Sequence, residues 1–427
     1  MNKKIKIISL ILLGLGLPTL LTAIKYSTDT RRQAAETPAN IVIYSQNTLG
    51  KFQNSIYQNY AQGGEAQHTN MFKNVSLHLR LLQPKYIRID HVLDYYTPEE
   101  LDDVVKTIQF TGATPFFSIT NPETIPNWEE SIKALVTRYT VNQNIPNIYY
   151  EILNEPDLFG GWKYKGEPNY LDLYHRSADA IVEAAGNRPF KVGGPSTTGF
   201  YTAWINSLLN YCENNDIRLD FISYHTYSTD ITKFQNDAET LFKVIGEHPK
   251  YSDIERIISE TGPDSERVPT YNTNSSAIHF LSLATILSSR IHKFFTFEVV
   301  DGDNSNWGLL TKNAQPKPRF KAIQFLNGFT GDLLNSTGNG SYVTALAAQD
   351  NDILQILLVN YDPAETHQET VPITINDLKS GQYTISTKFF DGETTQKTIT
   401  VENNILRDFI SLPPNSSALL NVEYHQQ

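Results

Sequence analysis

The sequence predicts a (β/α)8 TIM barrel followed by a C-terminal β-sandwich domain. Short apolar runs alternate with helical apolar patterns over about 290 residues, the usual size of such a barrel. From residue 341 onward the period changes to short alternating segments between Asn, Asp, Gly and Pro turns, which is typical of a sandwich. Two of the barrel strands end in a glutamate, and strand ends are where this fold places its chemistry.

The barrel is predicted from eight strands and eight helices. The predicted strands are residues 41–44, 86–91, 113–120, the run between Pro146 and Pro156, 190–195, 221–227, 256–260 and 293–300. The predicted helices lie within residues 63–82 and at 97–110, 127–141, 170–185, 201–214, 231–247, 276–289 and 317–329. The helix at 97–110 opens with Thr97-Pro98-Glu99-Glu100, a capping box with proline in the first turn. A doubly wound open sheet would normally carry a glycine-rich phosphate loop after its first strand, and Gly63-Gly64 is no such loop.

The predicted domain boundaries follow from these patterns and from the N-terminus. Residues 1–24 are predicted to be a signal peptide or membrane anchor, 25–40 a spacer, 41–334 the barrel and 335–427 the β-sandwich accessory domain. Lys3, Lys4 and Lys6 precede an apolar run, as in a secretory signal, although a poor cleavage site leaves an uncleaved anchor as the alternative. We therefore expect an exported protein, either secreted or anchored to the outer face of the cytoplasmic membrane.

Composition restricts the partners. The formal net charge is −11, and no basic stripe offsets it, which argues against nucleic acid and favours a neutral ligand. The single cysteine, Cys212, rules out an internal disulfide framework, so stability outside the cell must come from the core. The sequence calls for no cofactor and does not indicate the oligomeric state.

Glu155 is the first catalytic candidate. It follows an apolar and aromatic run and stands with Asn154 directly before Pro156, which stops the strand pattern. A carboxylate at the C-terminal end of a barrel strand faces a pocket rather than the core. The alternative is a simple turn, so the motif needs a partner.

Glu260 is that partner, because it also ends an apolar strand and is followed by glycine and proline. By strand count Glu155 ends the fourth strand and Glu260 the seventh, so both can converge on one bond across the barrel mouth. Two carboxyl groups roughly 5 Å apart are what a retaining glycosidase requires, with Glu155 as acid/base and Glu260 as nucleophile. We expect ionised Glu260 to raise the pKa of Glu155, and Arg88 on the second strand to keep Glu260 charged.

Two other chemistries are weaker. A metal site would require Asp90, His91, His225 and Glu260 to converge, but no His-x-His or His-Glu-x-x-His spacing supports it, and no metal is predicted. A serine nucleophile would need a Gly-x-Ser-x-Gly elbow, which the sequence lacks.

The two strand ends resemble those of the clan A glycoside hydrolases. The resemblance lies in Asn154-Glu155-Pro156 and Ser259-Glu260-Thr261-Gly262, with His225 and Tyr227 on the strand between them. Within that clan the chain is most similar to glycoside hydrolase family 39, the β-xylosidase and α-L-iduronidase family, through Tyr86-Ile-Arg-Ile-Asp-His91, Trp307-Gly-Leu-Leu310 and Lys317-Pro-Arg-Phe320. The resemblance covers residues from about 41 to 330 and the trailing β-domain.

The resemblance implies roles for further residues. Asn154 would bond the 2-hydroxyl of the sugar, Tyr227 would donate to Glu260, and His225 and Arg88 would line the subsite of the cleaved sugar. Either Trp307 or Phe297 would be the platform on which a sugar ring stacks. Asp90, His91 and Glu298 complete the predicted substrate-binding set, although Glu298, like Asp301, could instead pair with a cation.

The sequence therefore predicts a retaining glycoside hydrolase acting on a neutral oligo- or polysaccharide. The alternative is a carbohydrate-binding barrel that does not hydrolyse. A matched acid and nucleophile favour the enzyme, because a binding protein has no need of them. The sugar, its linkage and the choice between endo and exo action are left open by the sequence.

Overall fold

The computed structural model describes residues 36–64, 66–302 and 306–425. The predicted signal or anchor at residues 1–24 lies outside this range. Within it, no helix is both long enough and apolar enough to cross a bilayer.

A closed barrel of eight parallel strands forms the centre of the described chain and confirms the predicted fold class. Strand β1, Ile41–Lys51, precedes the barrel and lies outside it. The barrel strands are β2 Asn59–Gln62, β3 Tyr86–Ile89, β4 Thr114–Ile119, β5 Ile148–Ile152, β6 Phe190–Thr197, β7 Phe221–Tyr227, β8 Glu255–Gly262 and β9 Lys293–Phe297. The helices are α1 Ser76–Arg80, α2 Pro98–Thr111, α3 Trp128–Val136, α4 Tyr170–Ala185, α5 Thr202–Asn215, α6 Ile231–Gly246, α7 Asn274–Leu287 and α8 Pro318–Leu326. Strands β2 and β9 pair and close the barrel.

The first barrel strand is not the predicted one. The sequence assigns this place to residues 41–44, but β1 pairs with strands of the second domain. The barrel instead begins with β2, whose sequence Asn59-Tyr60-Ala61-Gln62 shows no apolar run. Its two polar ends are buried, and the Asn59 side chain donates to the carbonyl oxygens of Ser55 and Ile56. Because both ends are polar, the strand has no hydrophobic signature to detect, although the Asn59 amide nitrogen and the Gln62 side chain are hydrogen-bonded inside the fold.

Local sequence determines where helix α2 begins. The Thr97 hydroxyl accepts from the Glu100 backbone N–H, and the Glu100 carboxylate accepts from the Thr97 backbone N–H, as predicted for the capping box. Gly112 ends the helix with a φ of 98°, a left-handed conformation that suits glycine. Leu101, Val104 and Ile108 belong to the buried face, so this helix packs on the barrel, where it contacts β4.

The barrel interior is filled at its N-terminal end and polar at its C-terminal end. Phe116, Tyr149, Phe221 and Phe295 pack together inside the strands, with ring centroids 4.9 to 5.6 Å apart. Each buried ring contributes about 1.5–3 kcal/mol relative to an exposed one. This plug closes one end of the barrel, so a ligand can enter only from the other.

The second domain is a mostly antiparallel sheet folded into a sandwich. Its further strands are β10 Asp332–Thr337, β11 Val343–Asp350, β12 Ile353–Asn360, β13 Glu369–Asn376, β14 Gly381–Phe389, β15 Thr394–Val401, β16 Leu406–Leu412 and β17 Ser416–Tyr424. Strands β15 and β16 are the two edge strands of this sheet. The sheet folds over so that β16 also contacts β15 and β17. The sheet therefore encloses one apolar core, which includes Ile43, Ile356 and Leu420. Strands β1 and β10 also belong to this domain. β1 lies within the residues predicted for the barrel, and β10 spans the predicted boundary at residue 335.

Candidate active site

A cavity of about 600 Å³ opens at the C-terminal ends of the barrel strands. Most of the predicted site residues line it, namely Asp90, His91, Asn154, Glu155, Tyr227, Glu260 and Trp307. Arg88 and His225 are fully buried beneath them. The strand ends therefore bring together side chains that are far apart in the sequence.

Glu155 reaches the cavity through an unusual turn. Leu153 and Glu155 both have positive φ, at 66° and 46°, although neither is glycine. Such conformations cost on the order of 1–3 kcal/mol each and persist only when the surroundings impose them. Here the Leu153 N–H donates to the Ile119 carbonyl and the Glu155 N–H donates to the Ser196 carbonyl. The neighbouring strands thus hold Glu155 away from the strand direction and facing the cavity.

Glu260 is turned toward Glu155 by an irregularity in its strand. The pairing of β7 with β8 shifts register between Tyr224 and His225, so that His225 lies opposite Glu260. Arg88 Nη1 donates to Glu260 Oε1 at 2.9 Å, and the Tyr227 hydroxyl donates to Oε2 at 2.6 Å. Both carboxyl oxygens therefore accept a strong hydrogen bond, an arrangement that suits an ionised carboxylate.

Arg88 connects the floor of the site. Its Nε donates to Glu151 Oε2 at 2.7 Å, and its Nη2 donates to Asn154 Oδ1 at 2.7 Å. Because Asn154 uses its carbonyl oxygen on Arg88, its amide N–H groups remain to donate elsewhere. Asn154 lines the cavity, so this fixed orientation suits donation to a ligand hydroxyl.

His225 bridges the two candidate catalytic carboxylates. Its Nδ1 lies 2.8 Å from Glu155 Oε1 and 3.6 Å from Glu260 Oε2. Its Nε2 lies 3.0 Å from the hydroxyl of Ser196. One oxygen of each glutamate and a ring nitrogen of His225 lie within 4.8 Å of one another. The two carboxylates are therefore close enough to act on one bond.

The pKa values of the pair run opposite to the expectation from sequence. Burial raises the pKa of Glu260, with a further rise from Glu155, although His225, Arg88 and Tyr227 oppose it. For Glu155, burial also favours the neutral form, but the hydrogen bond and charge of His225 outweigh burial and lower the pKa. Burial lowers the pKa of His225, yet the charges of Glu260 and Glu155 outweigh it and raise that pKa. From sequence, Arg88 was the only charge expected to act on this pair. The structure adds His225, which contacts both carboxylates and, by competing for the proton, lowers the pKa of Glu155.

Geometry alone would also allow a metal ion here. Glu155, His225 and Glu260 form a group that could supply three ligands, rather than the predicted competitor with Asp90 and His91. However, both oxygens of Glu260 already accept from Arg88 and Tyr227. The buried guanidinium charge opposes a second cation, so the donor set suits proton chemistry better.

Both aromatic residues that were predicted as stacking platforms border the cavity. Phe297 and Trp307 both line it, with ring centroids 5.8 Å apart, so the structure offers both predicted platform candidates side by side. Phe297 also meets the ring of Tyr227 edge-on, with centroids 6.2 Å apart. The indole N–H of Trp307 is buried and has no hydrogen-bond partner among the described residues.

Asp90 and His91 stand on the same wall of the cavity. Asp90 is 6% exposed, and its Oδ1 has no hydrogen-bond partner among the described residues. The His91 ring stacks on Tyr95 at 3.8 Å, and its Nδ1 lies near Asp94 and Asn121. Burial lowers the pKa of His91, but the bond to Asp94 and the charge of Asp90 outweigh it and raise the pKa.

Glu298 is placed differently from its prediction as a substrate-binding residue. It is buried outside the cavity lining, and its Oε2 accepts from the Gln62 side chain at 3.0 Å. Asp301 pairs with Lys317 at 2.8 Å, which is the alternative that the sequence left open for an acidic residue here. Both carboxylates therefore organise the segment after β9 rather than face a ligand.

Sequence reasoning missed two residues of the floor, Glu151 and Ser196. Glu151 is fully buried inside the apolar strand β5, where its carboxylate pairs with Arg88. A charged residue in such a run needs a buried partner, so the isolated glutamate was a detectable signal. Ser196 follows a glycine and a proline and carries no comparable signal, because serine is common in turns.

Comparisons with known proteins agree with this barrel fold. Residues 79–279 match the model of glycosyl hydrolases family 39, a range that contains Arg88, Glu155 and Glu260. A beta-xylosidase of Geobacillus stearothermophilus is 24% identical over 291 residues, which are 58% of this chain and 57% of the relative. A beta-xylosidase of Caldicellulosiruptor saccharolyticus is 22% identical over 352 residues, covering 70% of this chain and 69% of the relative. The chain thus spans little more than half the length of the first of these relatives.

The fold as a whole is shared with solved structures. A monomeric beta-xylosidase from Caulobacter crescentus CB15 superposes with a TM-score of 0.71 at 17% identity, covering 91% of this chain and 100% of that one. At this identity the likeness concerns the fold, namely the barrel together with the β-sandwich. These matches confirm the resemblance predicted from the two strand ends.

Proposed function

We propose that this chain, which is similar to the glycoside hydrolases of family 39, is a glycosidase that cleaves a neutral glycan with retention of configuration. Glu155 acts as acid/base and Glu260 as nucleophile. The observation that carries this proposal is the convergence of the two carboxylates, with oxygens within 4.8 Å, over one cavity. A retaining reaction needs carboxyl groups about 5–5.5 Å apart, whereas an inverting one needs about 6.5–9.5 Å to admit a water.

In the first step, an oxygen of Glu260 attacks the anomeric carbon and the bond to the leaving oxygen breaks. Glu155 gives that oxygen its proton, so the leaving alcohol departs neutral and Glu260 becomes a glycosyl ester. In the second step, Glu155 removes a proton from water, the water oxygen attacks the anomeric carbon, and Glu260 is released. Two successive inversions give net retention.

His225 supplies the proton that Glu155 needs. Its Nδ1 lies 2.8 Å from Glu155, within the reach of a direct transfer. The raised pKa of His225 and the lowered pKa of Glu155 place the proton on the ring before substrate is engaged. The proton must then pass from His225 to Glu155 before the bond is cleaved. This transfer makes His225 neutral, so Arg88, at 2.9 Å from Glu260, is the charge that stabilises the ionised nucleophile.

The charge of the cavity supports a neutral sugar. Among the described residues that line it, the charged side chains include Asp90, Glu123, Glu155, Glu260 and Glu266, and none is lysine or arginine. A sugar carboxylate would meet this negative charge, and the histidine in the lining, His91, already pairs with Asp94. Hydroxyl groups can instead bond to the polar side chains that line the cavity, among them Asn154, Asp90 and His91. Since the relatives are named as beta-xylosidases, aryl β-xylosides are the first substrates to test.

The test is chemical rescue. Glu260→Ala should abolish turnover of an aryl glycoside, and azide should restore phenol release while giving the glycosyl azide of inverted configuration. Glu155→Ala should give an azide product of retained configuration, because Glu260 still forms the covalent intermediate. Glu266→Ala removes a carboxylate that lines the same cavity but lies outside the pair, and it should keep turnover and retention.

The competing function, a barrel that only binds carbohydrate, is separated by the same substrates. A pure binder would show affinity for the aryl glycoside without release of the phenol. Undiminished turnover by Glu260→Ala would refute the assignment of the nucleophile.

Export through residues 1–24 belongs to the proposal as well, and cell fractionation with and without those residues tests it.

A further inference from the structure

The loop after Tyr227 is held by the second domain. Strand β7 ends at Tyr227, whose hydroxyl donates to Glu260 at 2.6 Å. Ser228 and Thr229 follow directly and lead into α6. The hydroxyl of Tyr361, the residue after β12, donates to the carbonyl oxygen of Thr229 at 3.0 Å. A side chain of the sandwich therefore reaches the loop next to the proposed nucleophile.

His279 on α7 makes a second contact with the same loop. Its Nε2 lies 2.8 Å from the carbonyl oxygen of Ser228, and since a carbonyl only accepts, Nε2 carries the hydrogen. Burial lowers the pKa of His279 to about 4, so the ring stays neutral near neutral pH. The ring of Tyr361 packs edge-on against it, with centroids 5.3 Å apart at 70°. Tyr361 thus supports both loop carbonyls, one directly and one through His279.

Tyr361 is itself fixed. It is 2% exposed, and its backbone N–H donates to the carbonyl of Tyr342. The next residue, Asp362, donates its N–H to Asn415, whose side-chain amide donates in turn to the hydroxyl of Ser275 on α7. The two domains are therefore joined a second time close to the Tyr361 contact, through Asn415 and Ser275.

We propose that Tyr361 is a positioning residue for the reaction. By fixing the carbonyls of Ser228 and Thr229 it holds the end of β7, and thereby keeps the Tyr227 hydroxyl on Glu260. Side chains that support a site from behind in this way maintain its geometry. The consequence at Glu260 rests on the proposed function, whereas the hold on the loop does not. The sandwich then contributes to the chemistry without contacting substrate.

The kinetic test is a double-mutant cycle. Tyr361→Phe removes only the hydroxyl and should lower kcat by about fivefold, the effect of one lost hydrogen bond, with KM little changed. Because Tyr227 lowers the pKa of Glu260, its misplacement should raise that pKa and move the acid limb of kcat/KM to higher pH. In a Tyr227→Phe background, Tyr361→Phe should have no further effect on either quantity.

Thr344→Val is the matched control. It removes another buried hydrogen bond between the same two domains, the one that joins the hydroxyls of Thr344 and Thr285 at 2.7 Å. Thr285 stands six residues beyond His279 on α7, about 9 Å further along the helix. This variant should lose stability to a similar degree as Tyr361→Phe and leave kcat and the acid limb unchanged.

Hydrogen exchange tests the hold on the loop without any turnover. In Tyr361→Phe, amides between residues 227 and 232 should exchange faster than in the parent, whereas Thr344→Val should leave them unchanged. Unchanged exchange there, or an equal loss of kcat in the Tyr227→Phe background, would overturn the proposal. A parent protein that cleaves no glycoside would instead refute the proposed function, and the exchange data would still decide whether Tyr361 holds the loop.

Discussion

His225 Nδ1 lies 2.8 Å from Oε1 of Glu155, in a ring that is fully buried between the two candidate catalytic carboxylates. This contact determines where the proton of the site resides. It lowers the pKa of Glu155 against the effect of burial, and the charge of His225 also opposes the rise that burial causes at Glu260. The histidine therefore influences both ends of the pH range in which the site can work.

Replacing His225 with Asn should narrow the pH profile from both sides. Without the ring, the proton of the site can reside only on Glu155, so the alkaline limb of kcat/KM should move from the raised pKa of the His225 imidazole down to that of a carboxyl group. The pKa of Glu260 rises, because the charge of His225 no longer opposes the effect of burial, so the nucleophile ionises later and the acid limb shifts to higher pH. The measurement is kcat/KM of an aryl glycoside across pH, for the parent and the variant.

The control for this shift is His91→Asn. His91 lines the same cavity but bonds to Asp94 and Asn121, not to the catalytic pair. Its loss should weaken substrate binding and leave both limbs in place. If neither limb of the kcat/KM profile moves in His225→Asn, the 2.8 Å contact between His225 and Glu155 does not control the proton of the site.

Arg88→Met should cost both stability and turnover, for separable reasons. The variant leaves Glu151 and Glu260 buried without their shared cation, a loss of about 3–5 kcal/mol in the free energy of unfolding. Adding Glu151→Gln removes one of the two uncompensated charges and should recover part of that stability. Turnover should stay low in the double variant, because Glu260 still lacks its cation. Denaturant unfolding and steady-state kinetics measure the two effects, and an unfolding free energy that does not recover would argue against the pairing.

The Phe159 ring should contact the leaving group of the substrate and not the sugar that is cleaved. Its backbone N–H donates to the Glu155 carbonyl at 2.8 Å, and its half-exposed ring lines the cavity beside the residue that protonates the leaving oxygen. Phe159→Ala should raise KM about threefold to tenfold for an aryl glycoside, through lost ring contact. A glycosyl fluoride of the same sugar has a one-atom leaving group and should be hydrolysed as before.

Leu158→Ala is the comparison for Phe159. Leu158 is the adjacent residue, and it is 61% exposed and outside the cavity lining. It should change neither substrate. An equal rise in KM for the fluoride and the aryl glycoside in Phe159→Ala would place its ring at the sugar rather than at the leaving group.

The sequence revealed the parts of this molecule that carry a local signal. Apolar runs stopped by proline or glycine located the strands of Glu155 and Glu260, because buried parallel strands are hydrophobic throughout. The register shift that turns His225 toward both glutamates depends on how two strands pair, which no single segment encodes. Strand β2 escaped detection because its buried ends are Asn59 and Gln62, and the hydrogen bond from Gln62 to Glu298 forms only in the assembled barrel.

The assignment of β1 to the sandwich can be tested by energetic coupling. Ile43 of β1 is fully buried and lies beside Ile375 of β13, its register partner. Each Ile→Ala change should cost about 2–5 kcal/mol of unfolding free energy. Since the two side chains share one core, the double variant should deviate from additivity by about 0.5–3 kcal/mol. Ile87, equally buried in barrel strand β3, belongs to a separate core, so Ile43→Ala and Ile87→Ala should add. The reverse pattern, in which Ile43 couples to Ile87 and not to Ile375, would show that β1 packs with the barrel and would contradict its assignment to the sandwich.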